Sequence, residues 1–242
     1  MKHVLELDGV HANIGQFQIL QGVSFRVPEH QVTVLMGRNG AGKTTTLRTI
    51  MGYVRPRAGH IRMNGAAIGD LSTHQIARRG IAYLPEENHV FHRLTVAENL
   101  QMADRRARDG HHPERVERMM DLFGDLRRAW CRPAGSLSGG QKQMLAMASA
   151  LISEQPVLLI DEPSKGLSPG YVHRLVEILQ GLKGSRTVLL VEQNVWLAGQ
   201  VADTFVMLDD GRTVLSGNMQ ELLQREDWQQ QFLGVHATRG ER

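Results

Sequence analysis

The chain has one cysteine, Cys131, in 242 residues, so it can form no internal disulfide, and such usage fits a reducing compartment. It has no apolar run near the roughly 18 to 20 residues that span a bilayer. Met1-Lys2-His3 leads straight into strand-like sequence, without the basic and apolar regions of a secretory signal. A cytoplasmic protein is expected. Neither sign of charge dominates, with 28 Lys+Arg against 25 Asp+Glu, so the balance gives no reason to expect a nucleic-acid partner. There is no internal repeat and no low-complexity tract. The 41% apolar content is enough for a substantial core, and the length suits one large α/β domain or one carrying a sub-domain.

Against these absences stand three short motifs. In Gly37-Arg38-Asn39-Gly40-Ala41-Gly42-Lys43-Thr44 the glycines let successive backbone N–H groups turn inward around phosphates with no Cβ in the way. Lys43 then reaches the β/γ-phosphates, and the Thr44 hydroxyl, followed by Thr45, is placed to bind Mg²⁺. The apolar, β-rich run Gln31 to Met36 before it and the helical pattern from Lys43 to Met51 after it supply the strand and helix this loop needs. A phosphate would sit on that helix's N-terminal dipole.

The second motif, Val157-Leu158-Leu159-Ile160-Asp161-Glu162, is an apolar strand ending in two acids. Asp161 is placed to hold the metal's water shell, and Glu162 to polarise a water for in-line attack on the γ-phosphate. The third, Leu137-Ser138-Gly139-Gly140-Gln141, sets a serine and paired glycines at the start of a helix running from Gln141 to Ile152, a second anion-binding N-terminus. One triphosphate does not need two cradles unless the second serves a nucleotide held by another chain.

Patterning organises the rest. Val4 to Val10, Ile19 to Val27 and Gly59 to Asn64 read as strands of an N-terminal antiparallel layer. Ser72 to Gln75 and Thr95 to Glu98 have capping-box spacing and should open helices. From Glu87 to Ser136 the sequence turns arginine-rich, with Val116, Met119, Met120, Phe123, Leu126 and Trp130 on one helical face, an inserted helical sub-domain. Its arginines (105, 106 and 108; 115 and 118; 127, 128 and 132) read as a solvated face, or else as a contact for anionic lipid headgroups. Pro169 should start a helix, Asp210-Gly211 make a hairpin turn, and Asn218 to Glu221 open a final helical segment. The pairs His89/His92 and His111/His112 are poor metal candidates without neighbouring cysteines or carboxylates at ligand spacing, and Met144 and Met147 read as core filler.

With these motifs in order, the chain resembles the ATP-binding-cassette family from Val4 to Leu233. Tyr83-Leu84-Pro85-Glu86, Ser164 to Pro169 and Leu190 to Asn194 look like the second ATPase subunit of branched-chain amino-acid uptake systems, a subgroup that includes importers of urea and short amides. The resemblance implies an α/β phosphate-loop cassette over residues 1–242, with a mixed central sheet, an N-terminal antiparallel β layer and a helical insertion near 87–136. The signature helix spans 138–152. It implies ATP and Mg²⁺ as ligands, and a head-to-tail dimer with a second, related cassette. Gly37 to Thr45 of one chain and Ser138, Gly139, Gly140 and Gln141 of the other would clamp each ATP. It also implies two permease subunits, an external binding protein and a place on the cytoplasmic face of the membrane, with no nucleic acid. An exporter or lipid-extracting ATPase, and a nucleic-acid-associated ATPase of this type, are the competing classes.

The resemblance also assigns roles at positions where this chain departs from the general pattern. Ile14 stands where an aromatic stacks on adenine, with Phe17 expected in the core and His11 on the surface. Glu86 replaces a glutamine that contacts Mg²⁺ and the attacking water, and as a hard oxygen donor could bind either. Gln193 replaces a γ-phosphate-binding histidine, donating without carrying charge, and Ser168 replaces an aspartate at the dimer contact. A permease groove would be lined from Glu86, Asn88, Val90, Phe91 and Leu94, unless those apolar residues face the core.

Overall fold

The computed structural model describes residues 2–87, 90–104, 106 and 109–233. Asn88, His89, Arg105 and Arg108, which carry parts of the expectations above, lie outside the described residues.

The N-terminal layer forms as the alternation predicts, with longer strands. β1 (His3–Ile14) and β2 (Phe17–Pro28) make a hairpin in which Ile14 pairs with Phe17, and β4 (Pro56–Met63) with β5 (Ala66–Ala67) completes a sheet in the order β2-β1-β4-β5. The second sheet contains β3 (Val32–Met36), β6 (Ile81–Leu84), β7 (Val157–Asp161), β8 (Thr187–Val191), β9 (Thr204–Asp209) and β10 (Arg212–Asn218), in the order β10-β9-β3-β8-β7-β6. Only β9 with β10 is antiparallel, so the sheet is mixed.

Every residue of β3, β7 and β8 is buried, because parallel strands covered on both faces have no side open to water. Period-two alternation divides them between two cores. Val32, Val34, Leu158, Ile160, Val188 and Leu190 face the helices, while Leu35, Val157, Leu159, Leu189 and Val191 face the antiparallel layer. Leu189 is wholly buried, and truncating such a residue to alanine costs about 3 kcal/mol. The β9–β10 turn is Asp210-Gly211, both with positive φ (42° and 70°), the pair of left-handed residues that a two-residue hairpin turn requires.

The helices are α1 (Lys43–Ile50), α2 (Thr73–Arg78), α3 (Val96–Ala103), α4 (His112–Leu122), α5 (Gly124–Arg128), α6 (Gly139–Ile152), α7 (Pro169–Leu182), α8 (Val195–Val201), α9 (Met219–Gln224) and α10 (Glu226–Leu233). Reciprocal capping boxes open α2 at Ser72 and α3 at Thr95, and Pro169 occupies the first turn of α7, as the spacing predicts. Met144 and Met147 are core residues.

Several expectations are corrected. The apolar face from Val116 to Trp130 is not one helix: Phe123 has φ −126° and ψ 59°, breaking it into α4 and α5. The third motif's helix begins at Gly139, two residues before the expected Gln141, because Ser138 is its cap. α10 follows α9 and was not expected. Phe17 is 76% exposed, since its place beside the hairpin turn keeps it out of both cores, whereas His11 stays part-exposed at the surface as expected, its Nδ1 2.9 Å from Gln18 Nε2.

Arg106, Arg118, Arg127, Arg128 and Arg132 are exposed, as a solvated face requires, and Arg115 is the described member that departs from it. Arg115 is buried, its guanidinium donating to Asp104 at 2.8 Å and to both oxygens of Asp109 at 3.0 Å, because a buried guanidinium must be matched by carboxylates. Arg106 and Arg118 pair with Glu154, Arg127 with Glu117 and Asp121, and Arg128 with Asp125. No described helix is long and apolar enough to cross a membrane.

Candidate functional site

The cavity of about 760 Å³ at the C-terminal ends of the parallel strands is lined by Asn39, Gly40, Gly42, Lys43, Thr44 and Thr45 on one side. Glu86, Glu162, Ser164, Lys165, Glu192, Gln193 and Asn194 form the other side, and Ile19 contributes. Ligands gather at this end of α/β sheets. The loop from β3 to α1 turns tightly because a Cβ on Gly37 would lie 2.2 Å from the Leu208 carbonyl oxygen, and because Gly42 has φ +97°. Gly37, Arg38 and Ala41 do not line the cavity. Arg38 instead donates to the Gln231 carbonyl of α10 at 3.0 Å.

Lys43 is buried, its Nζ donating to the carbonyls of Gly37 (2.8 Å) and Arg38 (3.1 Å) and lying 4.0 Å from Glu162 Oε1. Burial holds its ammonium below the ordinary lysine range, against the pull of Glu162, Asp161 and Glu86. An arriving triphosphate would restore the lost stabilisation of that charge.

Asp161, the last residue of β7, is fully buried. Thr44 Oγ1 donates to its Oδ1 at 3.2 Å and the Tyr83 hydroxyl to its Oδ2 at 3.4 Å. Burial pushes its carboxyl up to about 6, with Glu162 and Glu86 adding repulsion. A hydroxyl, a buried carboxylate and a nearby second carboxylate form a hard-oxygen set that suits Mg²⁺, which takes one or two carboxylates and completes its shell with water and substrate phosphate. Among the described residues no three His, Cys, Asp or Glu side chains cluster as a metal cage. The His111/His112 pair serves structure: His111 lies beside Glu114, and His112 Nδ1 is 2.8 Å from Asp104 Oδ2.

Glu162 has φ +44°, an uncommon conformation for a glutamate of the kind found at functional sites. Its N–H is tied to the Val191 carbonyl at 2.9 Å, and its Oε1 accepts from Gln193 Nε2 at 2.5 Å. The sequence alone gives Glu192 no role. Buried behind both residues, it accepts from the backbone N–H groups of Ser164 (3.1 Å), Gln193 (3.1 Å) and Asn194 (3.2 Å). One carboxylate thus pins the loops after β7 and β8 together, and burial pushes its carboxyl above the ordinary glutamate range despite those donors. An acid ending an apolar strand beside Gln193 was the available signal.

Glu86 lines the cavity but is engaged by Lys165 in a close ion pair, so a free carboxylate at this position is not what the fold presents. Ile14 does not line the cavity. It is exposed across from Phe17, two residues along β2 from Ile19. Ser138, Gly139, Gly140 and Gln141 are also absent from the cavity wall. Ser138 caps α6, its hydroxyl accepting from Gln141 N–H at 3.3 Å, while its own N–H donates to Gln141 Oε1 at 3.1 Å. The Gly139 and Gly140 amides stand at the open start of a 14-residue helix, a surface that can receive an anion. Ser168 caps α7 and lines a separate cavity.

In the expected permease groove, Val90 is buried and Leu94 half-buried, with only Phe91 of the described apolar residues exposed. Asn99 shapes that loop, accepting from Phe91 N–H at 2.7 Å and donating to the Phe91 and Thr95 carbonyls at 3.1 and 2.8 Å. A shallow groove of about 290 Å³ runs nearby between Tyr83 to Pro85, exposed Met102 and the small residues Ala146, Ser149 and Ala150 of α6. Small residues spaced along a helix carry no periodic apolar signal, so the pattern hid it.

Comparison with known proteins agrees with this geometry. The family model described as ABC transporter matches residues 20–165. The chain is 37% identical to "Probable branched-chain amino acid transport ATP-binding protein LivF" of Archaeoglobus fulgidus, over 93% of this chain and 97% of that one. It is 34% identical to "Lipopolysaccharide export system ATP-binding protein LptB" of Escherichia coli, over 90% and 91% of the two chains. A solved "Structure of ATP binding subunit of ABC transporter" superposes with a TM-score of 0.82 at 29% identity, covering 96% of each chain.

Proposed function

Since this chain belongs to the ABC transporter family and is its ATP-hydrolysing subunit, we propose that it energises uptake of branched-chain amino acids or related small metabolites such as urea and short amides. It works at the cytoplasmic face of a membrane. It pairs head to tail with a related cassette and serves two permease subunits and an external binding protein. Residues 1–242 act as one cassette, with 87–136 as its helical sub-domain. The observation that carries the reading is the convergence of Lys43, Thr44, Glu162 and Gln193 on one cavity, with buried Asp161 bonded to Thr44, while the Ser138 helix start stands apart from it. That is half of a clamp plus the means to complete another chain's half.

The cradle amides and Lys43 hold the phosphates of ATP. Thr44 and Asp161, with Glu86 through the water shell once it leaves Lys165, are the residues that would hold Mg²⁺, which would supply neutralisation of phosphate charge. Glu162 accepts a proton from the attacking water, and Gln193 keeps that carboxylate aimed while donating toward developing charge. Ser138 and the amides of Gly139 and Gly140 close on the partner's γ-phosphate. Ile19, with the Ile14–Phe17 hairpin end beyond it, offers the base an apolar contact. Phe91 and the Met102 groove receive the permease, so that closure on ATP and reopening after hydrolysis move it.

The test is a Glu162→Gln chain co-expressed with its sister cassette. ATP should trap a dimer on size exclusion, and Ser138→Arg should abolish the trapped species while leaving ATP binding intact. ATP turnover by an isolated monomer, indifferent to Ser138→Arg, would overturn the reading. An exporter is the second reading, favoured by the likeness to LptB. Uptake of labelled leucine into proteoliposomes holding the co-purified membrane subunits separates the two.

A further inference from the structure

α7 begins at Pro169, seven residues after Glu162, so its position is set by the loop that carries the base. Two of its side chains reach across to the helices bearing the anion-binding surface. The Tyr171 ring packs against Gly140: a Cβ there would meet ring carbons at 2.6 and 2.7 Å. The Tyr171 hydroxyl approaches Asp125 Oδ2 of α5 at 3.4 Å, with the Ser138 hydroxyl also beside it.

One turn further along α7, Arg174 caps the C-terminus of α4. Its Nε donates to the Leu122 carbonyl at 3.1 Å, and its terminal nitrogens donate to the carbonyls of Leu122 (2.6 Å) and Asp121 (3.3 Å) and to Glu177 (2.5 Å). These carbonyls are the orphan acceptors a helix end leaves. Between the two contacts the packing is open, a cavity of about 530 Å³ walled by Phe123, Leu126, Met144 and Ser168 along with Tyr171 and Arg174. Leu175, Ile178 and Leu179 of α7 share a core with α4 to α6, and at the N-terminal end of α7, beside the open cavity, the joint is made by Tyr171 and Arg174.

We infer that Tyr171 and Arg174 are positioning residues for ATP hydrolysis: they transmit the placement of the Glu162 loop through α7 to the Ser138–Gly140 helix start, so that each chain's two half-sites move as a unit. The inference rests on the clamp reading above. Neither residue touches the cavity that takes the nucleotide, so neither should affect nucleotide capture by the isolated chain. Tyr171→Phe keeps the ring on Gly140, Tyr171→Leu removes it, and Arg174→Met removes the cap on α4.

The test uses the full chain assembled with its sister cassette and membrane subunits, and in parallel the chain alone. Tyr171→Leu and Arg174→Met should each lower kcat about tenfold with KM for ATP held, a misplacement effect, while Tyr171→Phe stays within about twofold of the parent. Spin labels on the native, exposed Cys131 and on Ser216→Cys in β10 should show a shifted or broadened distance distribution in the first two variants and the parental one in Tyr171→Phe. Thermal melting confirms that each variant is folded; should Tyr171→Leu not fold, Arg174→Met alone decides. A parental kcat, or a parental distance distribution, in the folded variants overturns the inference. If instead the parent assembly hydrolyses no ATP, the clamp reading fails, and the label distances still decide whether the two side chains hold the joint.

Discussion

Gln193 Nε2 donates to Glu162 Oε1 at 2.5 Å, joining residues that follow two different strands of the central sheet. The amide holds in place a carboxylate whose backbone is already in the left-handed region. Aim, more than charge, is what Gln193 supplies here. Gln193→Ala should lower kcat on the order of 10- to 100-fold with little change in KM. Gln193→His, able to donate and to carry charge, should raise kcat for the site built on this chain's phosphate loop. Steady-state ATPase kinetics of the assembled dimer check both; a rate at or below the parent for the histidine variant would count against the charge argument.

Glu86 is held by Lys165, on the rim of the cavity where the triphosphate would sit. Removing its charge with Glu86→Gln should tighten Mg²⁺-free ATP binding severalfold at low salt. The gain should shrink at high salt, where exposed charges are screened. Lys165→Met should do the opposite, since it leaves the carboxylate uncompensated. Titration with a fluorescent ATP analogue at two ionic strengths reads out the sign of each.

Burial raises Asp161 to about 6 from the ordinary 3.8. Between these values the folded chain keeps a proton that the unfolded chain has released, so this group's contribution to stability improves as pH falls through that window and is unfavourable above it. Mg²⁺ needs the ionised form. The affinity for Mg²⁺-ATP should therefore fall below pH 6, approaching about tenfold per unit, with a much weaker trend when the metal is chelated. Asp161→Asn should remove the slope that isothermal titration measures in the parent.

Glu192 collects three backbone N–H groups inside the fold. Glu192→Ala leaves those donors buried without an acceptor, a loss of about 3 kcal/mol, seen as a lower urea midpoint with an unchanged m-value. Because the same bonds set the loops carrying Glu162 and Gln193, kcat should fall as well. Glu192→Gln keeps one acceptor oxygen but sets a donor NH2 where the second carboxylate oxygen accepted, so it should recover only part of the stability.

Phe91 is exposed on a loop that Asn99 stiffens, and Met102 is exposed beside the groove on α6. Phe91→Glu and Met102→Glu should leave ATP binding and the melting temperature unchanged while abolishing co-purification of a membrane subunit. Loss of ATP binding in parallel would mark these residues as structural.

The sequence by itself determined whatever is decided within about one turn of chain. The phosphate cradle, the caps at Ser72, Thr95 and Ser138, the Asp210-Gly211 turn and the alternation of β3, β7 and β8 follow from backbone conformation and hydrogen bonds between near neighbours. Tertiary structure alone decided the relationships between distant residues: the strand order β10-β9-β3-β8-β7-β6, the Gln193 bond to Glu162, the Lys165 pair that occupies Glu86, the burial of Arg115 and the exposure of Phe17. No periodicity records these, because an ionic or apolar side chain takes its partner from whichever element the packed sheet brings alongside it, and that choice is made only when the whole chain has closed.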